Sequence, residues 1–110
     1  EQCAWLDHSM YHLDGTQCIP HLDALLEVSP LDAIEWTPQA GLEPGGDRRW
    51  WPMYRRILEA GKSVQILSVK KEDVAALLDT IGGKGVLLYF TVIQYDADAE
   101  SMLRTVEPFR

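Results

Sequence analysis

Four short apolar runs, each followed by a segment with helical spacing, constrain the fold of this chain more than any other feature. The runs have their centres near residues 11, 34, 66 and 88. In the segments between them, apolar residues recur three and four positions apart, which is the spacing of one buried helix face. Strands that alternate with helices in this way form a parallel sheet with right-handed crossovers. We therefore predict an α/β fold of four βα units in a single domain, residues 1–110.

The predicted strands cover residues 9–14, 31–36, 63–69 and 85–92. The last of these segments, GVLLYFTV, is almost unbroken in its apolar character, which is typical of a parallel strand that is covered on both faces. The segment 37–46, TPQAGLEPGG, is too rich in proline and glycine for regular structure. We expect it to be a mobile lid or substrate wall at the carboxyl end of the second strand.

Composition excludes some classes of partner. The formal net charge is -7, from 17 acidic and 10 basic residues, whereas nucleic acids and anionic membrane surfaces attract a concentrated basic face. We therefore expect neither as a partner. No apolar run approaches the ~20 residues of a membrane span. Cys3 and Cys18, without a signal-peptide pattern, lead us to expect free thiols and a cytoplasmic location.

The candidate site lies in the sequence YHLDG, residues 11–15, at the end of the first predicted strand. Parallel α/β proteins bind their ligands beyond the carboxyl ends of the strands. His12 and Asp14 are two residues apart, so their side chains point to the same face of that strand. They are the candidate catalytic and metal-binding pair. A structural reading stays open, in which His12 only makes hydrogen bonds at the rim and Asp14 caps the following turn.

The sequences YHLDG, HLDALL, LDAIEWTPQAG and ILEAGK together resemble the carboxyl-terminal part of the uroporphyrinogen decarboxylase-like proteins. That superfamily includes uroporphyrinogen decarboxylase itself and the zinc-dependent corrinoid methyltransferases, and its members are (β/α)₈ TIM barrels. The likeness covers nearly all of this chain, which corresponds to about the last four βα units of such a barrel. The resemblance thus implies the carboxyl-terminal half of a barrel from a longer polypeptide.

In the methyltransferase branch, a strand ends in a His-x-Cys-Gly motif whose His and Cys bind zinc, and HLDG is similar to it with Asp14 in place of Cys. A further family cysteine, after the last strand, is not found in FTVIQYD. The resemblance implies that His12 and Asp14 hold zinc more weakly than sulfur ligands would, and that the site tolerates other metals. It also implies a corrinoid carried on a partner protein. The residues expected to contact a small-molecule substrate are Glu35, Trp36, Gln65 and Tyr89.

We expect the carboxyl-terminal portion of an enzyme for corrinoid-linked, metal-assisted methyl transfer, inactive when produced by itself. Two alternatives stay open: a decarboxylase that acts on a carboxylated substrate, and a non-catalytic binding or assembly module. Half a barrel would expose an inner face lined by Ile34, Ile66 and Leu88 or their neighbours, together with two unpaired strand edges. We therefore expect a homodimer or a missing amino-terminal half-barrel to cover that face.

Overall fold

The computed structural model describes residues 1–90, 93 and 95–110, and it contains one sheet of four parallel strands in the order β1-β2-β3-β4. The strands are β1 Met10–Asp14, β2 Ala33–Thr37, β3 Ser63–Val69 and β4 Val86–Phe90. The helices are α1 Leu22–Leu26, α2 Trp51–Glu59, α3 Val74–Ile81 and α4 Asp96–Val106. The prediction of an α/β fold with four βα units is confirmed. Among the helices described, none is both long and apolar enough to cross a bilayer.

The second strand begins later than predicted, at Ala33 rather than Leu31. The reason is a set of hydrogen bonds that holds the preceding residues in a turn. The Asp32 carboxylate accepts from the backbone N–H of Ser9 at 2.7 Å, and the Ser9 hydroxyl donates to the Pro30 carbonyl at 2.9 Å. At its other end, the second strand extends one residue further than predicted, to Thr37.

One face of the sheet is covered by the helices, and the core lies between them. The strands contribute Leu13, Ile34, Trp36, Val64, Ile66 and Val69 to this core. The helices contribute Leu22, Met53, Tyr54, Ile57, Val74, Leu77, Leu78 and Met102. Burial of each large side chain stabilises the fold by roughly 1.5–3 kcal/mol, so this single cluster is the main source of stability.

The opposite face of the sheet, called the open face below, carries no covering element among the described residues. On β4, Leu87 is 61% exposed and Tyr89 is 62% exposed, so the prediction that this strand is covered on both faces is wrong here. Ile34 and Ile66 lie under the helices, and it is their neighbours Glu35 and Gln65 that lie on the open face. An unbroken apolar strand is buried on both faces only where a further layer of structure packs on the second face of the sheet. The predicted strand end at residues 91 and 92 falls outside the described residues.

The loop between β2 and α2 is fixed over its second half by aromatic donors at the start of α2. The indole N–H of Trp50 donates to the Glu43 carbonyl at 3.2 Å, and that of Trp51 to the Gly46 carbonyl at 2.9 Å. Residues 43–46 are therefore held against the helix. The mobility expected of the loop stays a prediction only for residues 38–42, which lie beside the carboxyl ends of the strands.

Candidate functional site

His12 and Glu35 form a close pair on the open face. They are register partners on β1 and β2, and 2.5 Å separates Nδ1 of His12 from Oε1 of Glu35. The Thr37 hydroxyl donates to the same carboxylate oxygen at 3.2 Å. The Glu35 side chain is 17% exposed and that of His12 is 56% exposed, so the carboxylate is the sheltered partner. Because Glu35 engages Nδ1, a neutral imidazole presents the lone pair of Nε2 toward solvent, where it can accept a proton or bind a cation.

Strand alternation explains why this pair faces outward. Leu13 points into the core, so His12 and Asp14 on either side of it point to the open face. Asp14 is the register partner of Thr37 at the end of the two strands. Gly15 follows at a φ of +73°, a left-handed conformation that strains any residue with a Cβ, and its N–H donates to the Thr37 carbonyl at 2.9 Å. The glycine of HLDG thus turns the chain away from β1.

Beyond Glu35, the open face carries Gln65 on β3 and the exposed side chains of Leu87 and Tyr89 on β4. Gln65 is the register partner of Glu35, and Leu87 is the register partner of Gln65. Tyr89 lies two residues beyond Leu87 and therefore on the same face. The structure thus brings His12, Asp14, Glu35, Gln65 and Tyr89 to one face of the sheet.

Trp36 is the one predicted substrate contact that lies apart from the others. It is fully buried on the helix side of the sheet, and its ring centroid is 4.9 Å from that of Trp50. Its Nε1 has no hydrogen-bond partner in the part of the chain that the structure describes. A molecule on the open face cannot reach this ring, because the sheet lies between them.

His12 and Asp14 are fewer donors than a zinc site uses. Within the described residues there is no group of three or more His, Cys, Asp or Glu side chains that could hold a metal ion. A catalytic zinc takes three protein ligands and a water molecule. His12 and Asp14 supply two donors on one strand. Cys3 and Cys18 are free thiols, as predicted, and both pack against the hydrophobic core.

A groove at the carboxyl ends of β2 and β3 is lined in part by Ser68 and Lys70, which no sequence motif predicts as site residues. Its volume is about 470 Å³, and it is lined by Pro38, Gln39, Ala40, Gly41, Leu42, Pro44, Ser68 and Lys70. Ser68 has a φ of +59° and is the one non-glycine residue with positive φ in the described chain. It lies where the pairing of β3 with β4 shifts register, between Ile66 and Val69. The sequence SVQILSV contains no signal of that irregularity.

No family model, no curated protein and no solved structure matches this chain. The class of protein is therefore defined by the fold and the site: an α/β protein of four βα units that carries a polar row, formed by His12, Asp14, Glu35, Gln65 and Tyr89, on one face of its sheet.

Proposed function

We propose that this chain is the carboxyl-terminal half of a (β/α)₈ enzyme similar to the uroporphyrinogen decarboxylase-like methyltransferases, and that it transfers a methyl group to a small-molecule acceptor. The observation that carries the proposal is the 2.5 Å contact between Nδ1 of His12 and Oε1 of Glu35 on the open face. The proposed methyl donor is a corrinoid on a partner protein, as the resemblance of HLDG and its neighbouring sequences implies.

The strand order supports the half-barrel part of the proposal. The four strands follow one another in chain order, and the helices contribute to one core on one face. A segment of a (β/α)₈ barrel has this arrangement, whereas a doubly wound sheet reverses its strand order and carries helices on both faces. Four more strands would turn the open face into a barrel interior, with Asp14 and Thr37 at its carboxyl-terminal mouth.

The chemistry assigned to His12 is proton transfer. Nε2 accepts the proton of the acceptor's thiol or hydroxyl group while the sulfur or oxygen forms its bond to the methyl carbon. Glu35 fixes the ring through Nδ1 and stabilises the imidazolium that results. The His12 proton then passes to water. A bound corrinoid would supply the methyl group: its carbon–cobalt bond would break as the new bond to sulfur or oxygen forms, and the electron pair of that bond would stay on the cobalt.

Zinc has no step in this proposal. His12 and Asp14 are fewer than the three ligands of a catalytic zinc site, so zinc-thiolate chemistry would need ligands from outside the described residues. Weak binding of a divalent cation by this pair stays a prediction. Titration with Zn²⁺ of the wild type and of His12→Ala tests it, and equal uptake by both proteins would remove His12 as a ligand.

The test of function is a methyl-transfer assay on the polypeptide encoded by the complete natural reading frame. Methylcobalamin is the donor, small thiols and alcohols are the acceptors, and visible absorbance follows loss of the methyl group. His12→Ala should lower kcat/KM by about 10²-fold or more, the usual contribution of a general base. His21→Ala is the matched control, because His21 is exposed and lies outside the polar row. A wild type without transfer activity, or an unaffected His12→Ala, would reject the proposal.

An assembly module without catalysis is the second candidate, and one observation favours it. Met10, Leu87 and Tyr89 are 50%, 61% and 62% exposed on the open face, as residues of a protein interface would be in the separated partner. This candidate predicts tight association with no turnover of methylcobalamin. A decarboxylase, the other alternative from the resemblance, predicts release of carbon dioxide from uroporphyrinogen in the same preparation.

A further inference from the structure

We infer that the groove lined by residues 38–42, Pro44, Ser68 and Lys70 binds the anionic group of a small-molecule substrate, with the Lys70 ammonium and the Ser68 hydroxyl as its polar contacts. The inference rests on the proposed function in one respect, namely that the groove serves the same site. The groove begins at Pro38, one residue after Thr37, which pairs with Asp14 at the mouth.

A bulge in β3 places Ser68 in the groove. Regular alternation would put Ser68 on the same face as Ile66, inside the core. The register shift between Ile66 and Val69 instead returns Val69 to the core, where it is 1% exposed, and leaves Ser68 lining the groove. A non-glycine residue in the left-handed region is strained, and such strain is concentrated at binding sites. The bulge thus places Ser68 in the lining of the groove instead of in the core.

Lys70 gives the groove its charge. The adjacent Lys71 pairs with Asp98 at 3.3 Å, whereas Lys70 makes no ion pair with any described residue. No carboxylate belongs to the described lining of the groove. Lys70 also borders a second pocket, which Glu72 and Asp98 line, and it forms no ion pair with either of them. Because the chain as a whole has a net charge of -7 and repels anions, the attraction of an anion to the groove depends on this local ammonium group.

The apolar residues that line the groove indicate the chemistry of the uncharged part of the ligand. Pro38, Ala40, Leu42 and Pro44 supply apolar surface, and the volume of about 470 Å³ lies within the range of small-molecule sites. The backbone around Pro44 is held in place, because the carbonyls of Glu43, Gly45 and Gly46 accept hydrogen bonds from the side chains of Trp50, Tyr54 and Trp51. The groove therefore suits a compact apolar body that bears a carboxylate or phosphate group.

The test is a titration of the ¹⁵N-labelled chain at low ionic strength with benzoate and phenyl phosphate, and with benzyl alcohol as the uncharged probe. Both anions should shift the amide signals of residues 38–42 and 67–70, and benzyl alcohol should bind more weakly. The anion that binds more tightly identifies the group as carboxylate or phosphate. Lys70→Met should raise the Kd of the anions about fivefold, as the loss of one partly exposed charge contact does.

Two further variants separate a specific site from general attraction. Ser68→Gly keeps the left-handed backbone and removes the hydroxyl, so it should raise the Kd about threefold while the chain stays folded. Lys84→Met is the matched control, because Lys84 is exposed at the opposite end of the sheet, before β4. Equal losses for Lys70→Met and Lys84→Met, or equal binding of benzyl alcohol, would overturn the inference.

The same titration distinguishes a failure of this inference from a failure of the proposed function. Anion binding without methyl transfer would reject the proposed reaction and keep the groove. Methyl transfer with an unaffected Lys70→Met would keep the reaction and reject the groove.

Discussion

The hydroxyl of Tyr54 donates a hydrogen bond to the carbonyl oxygen of Gly45 at 2.6 Å, inside the core. Tyr54 belongs to α2 and is fully buried, so this contact ties the helix to the loop before it. Burial raises the pKa of the Tyr54 phenol far above its ordinary range, and the negative charge of Asp47 raises the pKa further. The hydroxyl therefore stays a neutral donor across the physiological pH range.

Removal of this hydroxyl should destabilise the fold. Tyr54→Phe leaves the Gly45 carbonyl without its donor, and we expect a loss of about 1–2 kcal/mol in the free energy of unfolding, measured with urea. Tyr89→Phe is the control, since Tyr89 is exposed on the open face and should change stability little. Equal effects of the two substitutions would mean that the Gly45 contact does not contribute.

The raised pKa of Tyr54 also predicts how stability depends on alkaline pH. The unfolded chain releases the phenol proton near pH 10, the ordinary value for tyrosine, whereas the folded chain keeps it. The folded state then binds more protons, so the stabilisation is complete below about pH 10 and is lost as the pH rises above it. Between about pH 9 and about pH 11, Tyr54→Phe should lose less unfolding free energy than the wild type. The same loss in both proteins would contradict this.

Gly45 should not tolerate a side chain. A Cβ there would overlap the carbonyl oxygen of Leu67 on β3, which is backbone and cannot move aside cheaply. We expect Gly45→Ala to cost about 2–4 kcal/mol of unfolding free energy. Gly41→Ala is the control, because Gly41 has a φ of +86° but a Cβ added to it would meet nothing within 4 Å, so about 1 kcal/mol of backbone strain is expected. Similar costs would show that the loop does not pack on β3.

Lys62 should be needed for its hydrogen bonds rather than for its charge. It is 7% exposed, and its Nζ donates to the carbonyls of Val28 and Leu31 at 2.8 and 2.7 Å, in the turn before β2. Lys62→Met keeps the aliphatic stem and leaves both carbonyls without this donor, so we expect a loss of about 2–3 kcal/mol by thermal or urea unfolding. Lys84→Met, at an exposed lysine, should stay within about 0.5 kcal/mol of the wild type.

The chain by itself should associate through the open face. We expect a dimer at micromolar concentration by sedimentation, because the described residues leave apolar surface and two strand edges uncovered. Leu87→Gln should shift the equilibrium toward monomer without loss of stability. Leu103→Gln is the control, since Leu103 is 57% exposed but lies on α4. A wild-type monomer would contradict this prediction.

Residues that end strands and helices explain which elements the sequence predicts well. The predicted bounds of β3 coincide with Ser63–Val69, which follows Gly61, and α3 ends directly before Gly82, because a glycine stands beside each of these clear apolar patterns. The faces of the strands are harder to assign from such patterns. A period of two shows that Glu35 and Trp36 point in opposite directions, but it does not show which direction leads to the core.

Contacts between strands depend on register, that is, on which residues of two strands lie side by side. The apolar pattern of a single segment does not reveal it. His12 and Glu35 are 23 residues apart, and a shift of one residue would have sent Glu35 to the other face. His12 and Asp14 could be selected from the sequence because they are neighbours. The partner of His12 could not, and the bulge that presents Ser68 leaves no trace in SVQILSV.

The consecutive order of parallel strands has a consequence for assembly geometry. The two edge strands, β1 and β4, pair on their outer sides with no described residue, and they run in the same direction, so β4 of one copy can pair in parallel with β1 of the next. This contact is head-to-tail, and it leaves one β1 edge and one β4 edge available at the two ends of any row of associated copies. The curvature of the sheet then determines which assembly forms. Strong curvature closes two copies into a ring, and weak curvature produces an open filament, so variants that flatten the sheet should favour fibrous aggregates.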